Sequence, residues 1–207
     1  MALHIRAYLV AALIGLLSPA EVSAASAQRA TIATIGGETS VPYGWVDFCQ
    51  RYRGECDGPE LTPADVNLTP KTMKEIERVN QWVNSNIAPT SDMQHWGVVD
   101  QWDYPTDGKG DCEDYALLKR KLLIKAGLPR QALLMTVVKD INNEGHAVLT
   151  VKTDRGDFVL DSLHDDVRVW TEAEYRFVKR QSQMNQNVWV SIGSPTSPPL
   201  FVSRGSH

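Results

Sequence analysis

The apolar residues of this chain change their spacing about two thirds of the way along, and that change limits the fold to few classes. Met73, Ile76, Val79, Val83 and Ile87 recur every three or four positions, after Thr69 and Pro70 and before Pro89. An N-cap, a proline at the first helical position and one apolar face predict a helix there. A second helix is expected over about residues 112–126, with Leu117, Leu118, Leu122 and Ile124 on its apolar side and Gly127 and Pro129 ending it. Beyond it the apolar residues fall into short runs at 133–138, 147–152 and 157–160, parted by Asn142-Asn143-Glu144-Gly145 and Asp154-Arg155-Gly156. These read as strands and turns, with further strands expected at 167–170, 175–178 and 188–192. Helices followed by an antiparallel meander make an α+β fold.

The chain also begins with an export signature. Arg6 supplies a positive start, residues 7–17 an apolar stretch, and Val22-Ser23-Ala24 a small-residue cleavage site, with Ala25-Ser26-Ala27 as a second one. Residues 1–24 are therefore read as a signal peptide, whose apolar stretch falls short of the ~20 residues that span a bilayer. The mature protein is expected to be periplasmic or secreted, and not membrane-spanning. Residues 25–40, rich in Ala, Ser, Thr and Gly, are read as a loosely ordered arm, 41–192 as a single domain and 193–207 as an irregular tail. The net charge of -4 is unchanged by loss of Arg6 and Glu21 and argues against a nucleic-acid partner.

An oxidising compartment gives meaning to the three cysteines. Cys49 and Cys56 bracket a short polar loop containing Gly54 and are expected to form a disulfide. Cys112 remains, in Gly110-Asp111-Cys112-Glu113-Asp114, where a Gly-rich loop turns into the second helix. A helix N-terminus stabilises a thiolate and offers backbone donors to an oxyanion. Three neighbouring acids oppose that effect, because like charges raise a thiol pKa. They are open to two readings: first-turn acids that cap the helix, Asp111 with Asp114 as a capping box, or Asp111 and Glu113 as ligands of a hard cation such as calcium. An inert, buried Cys112 is the plain alternative to a reactive one.

His146 opens one strand-like run and Asp161 closes the next. Each is unremarkable alone. Together with Cys112 they supply the nucleophile, base and orienting acceptor of a thiol acyl-transfer enzyme, in an order that neighbouring strands can assemble. The long segment between residues 91 and 109 leads into Cys112; the Cys112 backbone N–H and a donor in that loop, Trp102, are the oxyanion candidates.

Gly110-Asp111-Cys112-Glu113-Asp114-Tyr115, Gly145-His146-Ala147-Val148-Leu149, Leu160-Asp161, Tyr175-Arg176-Phe177, Trp189 and the opening Gly44-Trp45-Val46-Asp47-Phe48-Cys49 resemble the bacterial transglutaminase-like cysteine peptidases of the papain-like superfamily. The resemblance runs over about residues 41–192. It implies a papain-like/transglutaminase-like fold and a Cys112, His146, Asp161 triad. LapG-type members are calcium-dependent periplasmic proteases, so it further implies calcium at Asp111 and Glu113, a protein substrate in the cell envelope and an inhibitory membrane receptor. Transfer of the acyl group to an amine, as in a transglutaminase, and a non-catalytic envelope binding module are the competing readings.

Overall fold

Two helices prescribed by local sequence lie against a sheet that is assembled from distant parts of the chain. The computed structural model describes residues 32–193; the expected signal peptide, its expected cleavage sites and nearly all of the expected tail lie outside the described residues. The strands are β1 (Ile35–Thr39), β2 (Ala88–Pro89), β3 (Lys109–Gly110), β4 (Leu133–Lys139), β5 (Gly145–Thr153), β6 (Gly156–Asp161), β7 (His164–Val169), β8 (Arg176–Gln181) and β9 (Trp189–Ile192). The helices are α1 (Tyr43–Arg51), α2 (Pro70–Asn86), α3 (Asp92–His95) and α4 (Cys112–Lys125). None of the described helices is long and apolar enough to cross a membrane.

Seven strands form one antiparallel sheet in the order β1-β9-β8-β4-β5-β6-β7. The expected meander holds from β4 to β7; β8 then returns to the free side of β4 and continues outward through β9. Side chains alternate across the sheet as the two-residue period requires. Met135, Val137, Ala147, Leu149, Val151 and Leu160 face the core beneath the helices, whereas Val148, Val159, Phe177 and Ile192 form a smaller cluster with Ala33 and Trp170.

α2 begins as the sequence prescribes, with Thr69 Oγ1 accepting the Thr72 N–H at 3.1 Å and Pro70 at the first position. Its buried face carries Ile76, Val79 and Val83, and also two asparagines that the apolar period does not reveal. Asn80 donates to the carbonyls of His164 and Asp165, and Asn84 to those of Asp161 and His164, each at 3.0 Å. The helix thereby clamps the corner between β6 and β7.

Two segments depart from expectation. Residues 25–40 are not an arm throughout: Ile35–Thr39 is an edge strand paired with β9, and Ala33 is buried. The segment between residues 91 and 109 is not a plain loop either. It contains α3, and its ends are tied by the parallel pair β2–β3, with Ala88 N–H donating to Gly108 O at 2.8 Å and Thr90 N–H to Gly110 O at 2.9 Å. α1 places Trp45 and Phe48 in an aromatic cluster with Tyr52, Trp102, Tyr104 and Trp189. A disulfide joins Cys49 to Cys56 at the end of this helix, with the Cα atoms 5.5 Å apart.

Candidate active site

Cys112 is the first residue of α4, and the residues around it are fixed by a reciprocal cap. Asp111, in extended conformation, accepts the Asp114 backbone N–H, while Asp114 Oδ2 accepts the Asp111 N–H at 3.3 Å. Gly110 is required for this: a Cβ there would lie 2.6 Å from Asp114 Oδ2 and 2.7 Å from Asp114 Cβ. The thiol is buried and donates to Glu113 Oε2 at 3.1 Å. Burial, followed by the charge of Asp111, pushes its pKa well above the usual thiol range, against its hydrogen bonds with Glu113 and the Ala147 backbone. In this charge state the helix terminus alone does not give a thiolate.

The contact with Ala147 brings the sulfur against β5 one residue beyond His146. His146 is buried, and its Nε2 meets Asp161 Oδ1 at 2.8 Å. An ionised carboxylate only accepts, so Nε2 is the donor in this bond and Nδ1 is the ring nitrogen that Asp161 leaves unengaged. That Nδ1 has no hydrogen-bond partner among the described residues. Asp161 also accepts from the Leu163 N–H at 3.1 Å, His164 Nδ1 at 2.8 Å and the Tyr175 hydroxyl at 2.5 Å. Burial works to raise this carboxyl, but the hydrogen bonds from His146, Tyr175 and His164 hold it well below the usual carboxylate range.

A second feature surrounds the first turn of α4. Asp92, Asp100, Asp111, Glu113 and Asp114 are all buried. Ligand-type atoms of Asp92, Asp111 and Asp114 lie within 4.8 Å of one another, as do those of Asp92, Asp100 and Glu113, and those of Asp111, Cys112 and Glu113. Asp92 Oδ1, Asp111 Oδ1 and Glu113 Oε1 have no hydrogen-bond partner among the described residues. Burial, with the charge of Asp92 behind it, pushes Asp111 up to about 7 despite a hydrogen bond from Glu113. Burial likewise raises Glu113, reinforced by Cys112 and Asp111, and Asp114, reinforced by Asp111. Buried carboxylates that crowd together take up protons or a cation. Unpartnered oxygens from several acids are the donor chemistry of a hard divalent ion.

The sequence matches the family described as bacterial transglutaminase-like cysteine proteinase BTLCP over residues 35–197. The chain belongs to that family. As a bacterial transglutaminase-like cysteine proteinase it is a cysteine peptidase of the transglutaminase-like kind. Its fold is shared with Legionella pneumophila LapG. The calcium-bound structure of LapG superposes with a TM-score of 0.51 at 23% identity, over 64% of this chain and 77% of that one. A second LapG structure gives 0.49 and 25%, over 60% and 71%, and an EGTA-treated one 0.48 and 23%, over 62% and 70%. None of the curated proteins matches the chain.

Within this transglutaminase-like domain the structure pairs His146 with Asp161 and brings Cys112 to the adjacent residue Ala147, while Asp111 and Glu113 fall in one acidic cluster. Trp102 does not serve as its sequence position suggested. Its ring is fully buried between Trp45 and Trp189, and its indole N–H donates to Asp100 Oδ1 at 3.0 Å. That donor is committed, so it is not available to an oxyanion. Asp92, Asp100 and the Asp161 partner His164 are not indicated as site residues by the sequence, and Tyr175 enters there only as part of a family motif. The aspartates at 92, 100, 103 and 107 are the signal that this loop offers for the first two.

Proposed function

We propose that this protein is an exported thiol peptidase in which Cys112 attacks a peptide carbonyl, His146 takes up and returns the proton, and Asp161 orients the imidazole. The observation that carries the reading is the buried His146–Asp161 pair, whose remaining ring nitrogen is unpartnered beside the strand residue that reaches the Cys112 sulfur. Asp161 keeps Nε2 protonated, so Nδ1 is the basic atom, and the clamp from Asn80 and Asn84 holds the corner from which Asp161 projects. The Cys112 backbone N–H, at the first position of α4, is the oxyanion donor we assign.

Asp92, Asp100, Asp111 and Glu113 would hold calcium. The unpartnered carboxylate oxygens support this, as does the calcium-bound form of the LapG relative. When bound, the ion supplies positive charge that offsets the acids around the thiol and orders the loop that presents it. The signal-like N-terminus and the disulfide support a periplasmic or secreted location. A cell-envelope protein is the proposed substrate, and an inhibitory membrane receptor the proposed regulator.

The test compares envelope proteins from cells expressing wild type or Cys112→Ala. Defined cleavage fragments should be present with wild type and absent with the variant. Identical fragments in both would remove the assignment, and incorporation of a labelled amine in place of hydrolysis would replace it with the transglutaminase reading.

A further inference from the structure

Away from these groups, two arginines converge on one amide side chain. Arg120 lies on α4 eight residues past Cys112, about 12 Å along the helix. It is buried, donating from Nε to Leu133 O at 3.0 Å and from Nη2 to Gln186 Oε1 at 2.7 Å. Arg130 donates from Nη1 to the same Gln186 oxygen at 3.2 Å and to Glu55 O at 2.8 Å. Two cations therefore share one neutral amide oxygen.

Those bonds tie the disulfide loop to the core, and a purely structural role would end there. Arg120 Nη1 and Arg130 Nε and Nη2, however, have no acceptor among the described residues, and neither arginine forms a salt bridge among them. Of the nearby acids, Glu55 pairs with Lys121 at 3.6 Å while its charge also acts on Arg120, and Asp57, exposed at the cavity wall, accepts the Gly54 N–H. Both arginines line a cavity of about 200 Å³, together with Asp57, several amide side chains and the apolar Leu61, Leu134 and Met184. The strain of this arrangement is visible in Arg120, whose pKa is pushed down to about 10 by burial and then by Arg130. A buried guanidinium is ordinarily matched by a carboxylate or phosphate, whose two oxygens fit its fork.

We propose that this cavity is a binding site for a small carboxylate or phosphate ligand, its oxygens held between Arg120 and Arg130 and its short apolar body against Leu61, Leu134 and Met184. The volume is below the ~300 Å³ at which drug-sized sites begin, so the ligand is a few atoms larger than its anionic group. Because residues 56–59 form part of the wall, occupancy would brace the disulfide loop rather than the catalytic groups.

The test is thermal melting of the mature protein with inorganic phosphate or succinate in the millimolar range, at ionic strength matched with chloride and at fixed free calcium. Wild type should gain stability with at least one of the two, and the effective one identifies the ligand as phosphate or carboxylate. Arg130→Gln should weaken the response about tenfold or more, as expected for a lost charge-assisted hydrogen bond. Met184→Trp, which adds bulk at a half-exposed residue lining the cavity, should weaken it independently. No response in wild type beyond that to chloride, or an undiminished response in both variants, would overturn the site.

Discussion

With chelator in excess, the melting temperature should fall as pH rises from about 4 to 7, and with calcium in excess it should fall far less. Asp111 sets the scale. Its carboxyl moves from the ordinary 3.8 to about 7 in the fold, because burial and the neighbouring acids disfavour its charge. A folded pKa above the unfolded one means that the folded state holds more protons in that window, so stability is complete below about 3.8 and is lost as pH rises through about 7. At about 1.4 kcal/mol per pH unit the loss is about 4 kcal/mol, shared among coupled acids rather than owned by Asp111 alone. For a domain of this size that corresponds to roughly 8–16 °C. A bound cation takes the place of those protons, so the calcium-loaded protein escapes the penalty and the gap between the two melting curves widens with pH. The assay is calorimetry or circular dichroism across this pH range, each point with calcium and with chelator. Parallel profiles would refute the reasoning, as would a chelated protein whose stability is flat with pH. Asp111→Asn combined with Glu113→Gln should flatten the chelator profile and remove the calcium response together.

His146→Ala should reduce kcat/KM by about a thousandfold or more and Asp161→Asn by somewhat less, measured on the fragments found in the envelope comparison; equal activity in either would break the triad. Gly44→Ala should cost about 1–3 kcal/mol in denaturant unfolding, because its Cβ would meet the Trp102 ring at 2.1 Å, and that ring is backed by Trp189. Lys119 is fully buried, its Nζ has no hydrogen-bond partner among the described residues, and burial lowers its pKa to about 7. Between about 7 and 10.5 the unfolded chain holds a proton that the fold does not, so stability from this group rises with pH; Lys119→Met should therefore raise the melting temperature most at or below pH 7 and little near pH 10. Replacing Cys49 and Cys56 with serine should cost about 2–3 kcal/mol, read from urea midpoints, since the bridge closes a short loop.

What was legible in the sequence is what depends on near neighbours or on strand order. The α4 cap involves residues three apart, and His146 and Asp161 lie on consecutive strands, so both could be read before any fold was known. α1 was missed because nine residues with Gly44 near the start and only Trp45, Val46 and Phe48 as large apolar positions establish no period. β1, with two glycines in five residues, has little strand character of its own and exists through its pairing with β9. Asp92 and Asp100 join the acidic cluster only because the β2–β3 pair folds their loop back over α4. No local pattern encodes that closure. Trp102 misled for the opposite reason: its place beside Cys112 in the chain was clear, but its burial in the aromatic cluster was not.

The pairing of β1 with β9 has a consequence for how the protein comes into being. Hydrogen bonds such as Ser191 Oγ to Gly37 O join residues 154 positions apart, the first strand to the last. A contact that distant carries a large loop-closure cost and is late in any folding sequence, whereas the Cys49–Cys56 bridge spans seven positions and needs only a hairpin of chain. The cysteine bridge therefore closes at a lower entropic cost than the sheet, and the edge of β1 has no strand to pair with until β9 is in place. Trp189, which backs the α1 cluster, lies on β9, so the aromatic core beside the helices is complete only once this strand has paired.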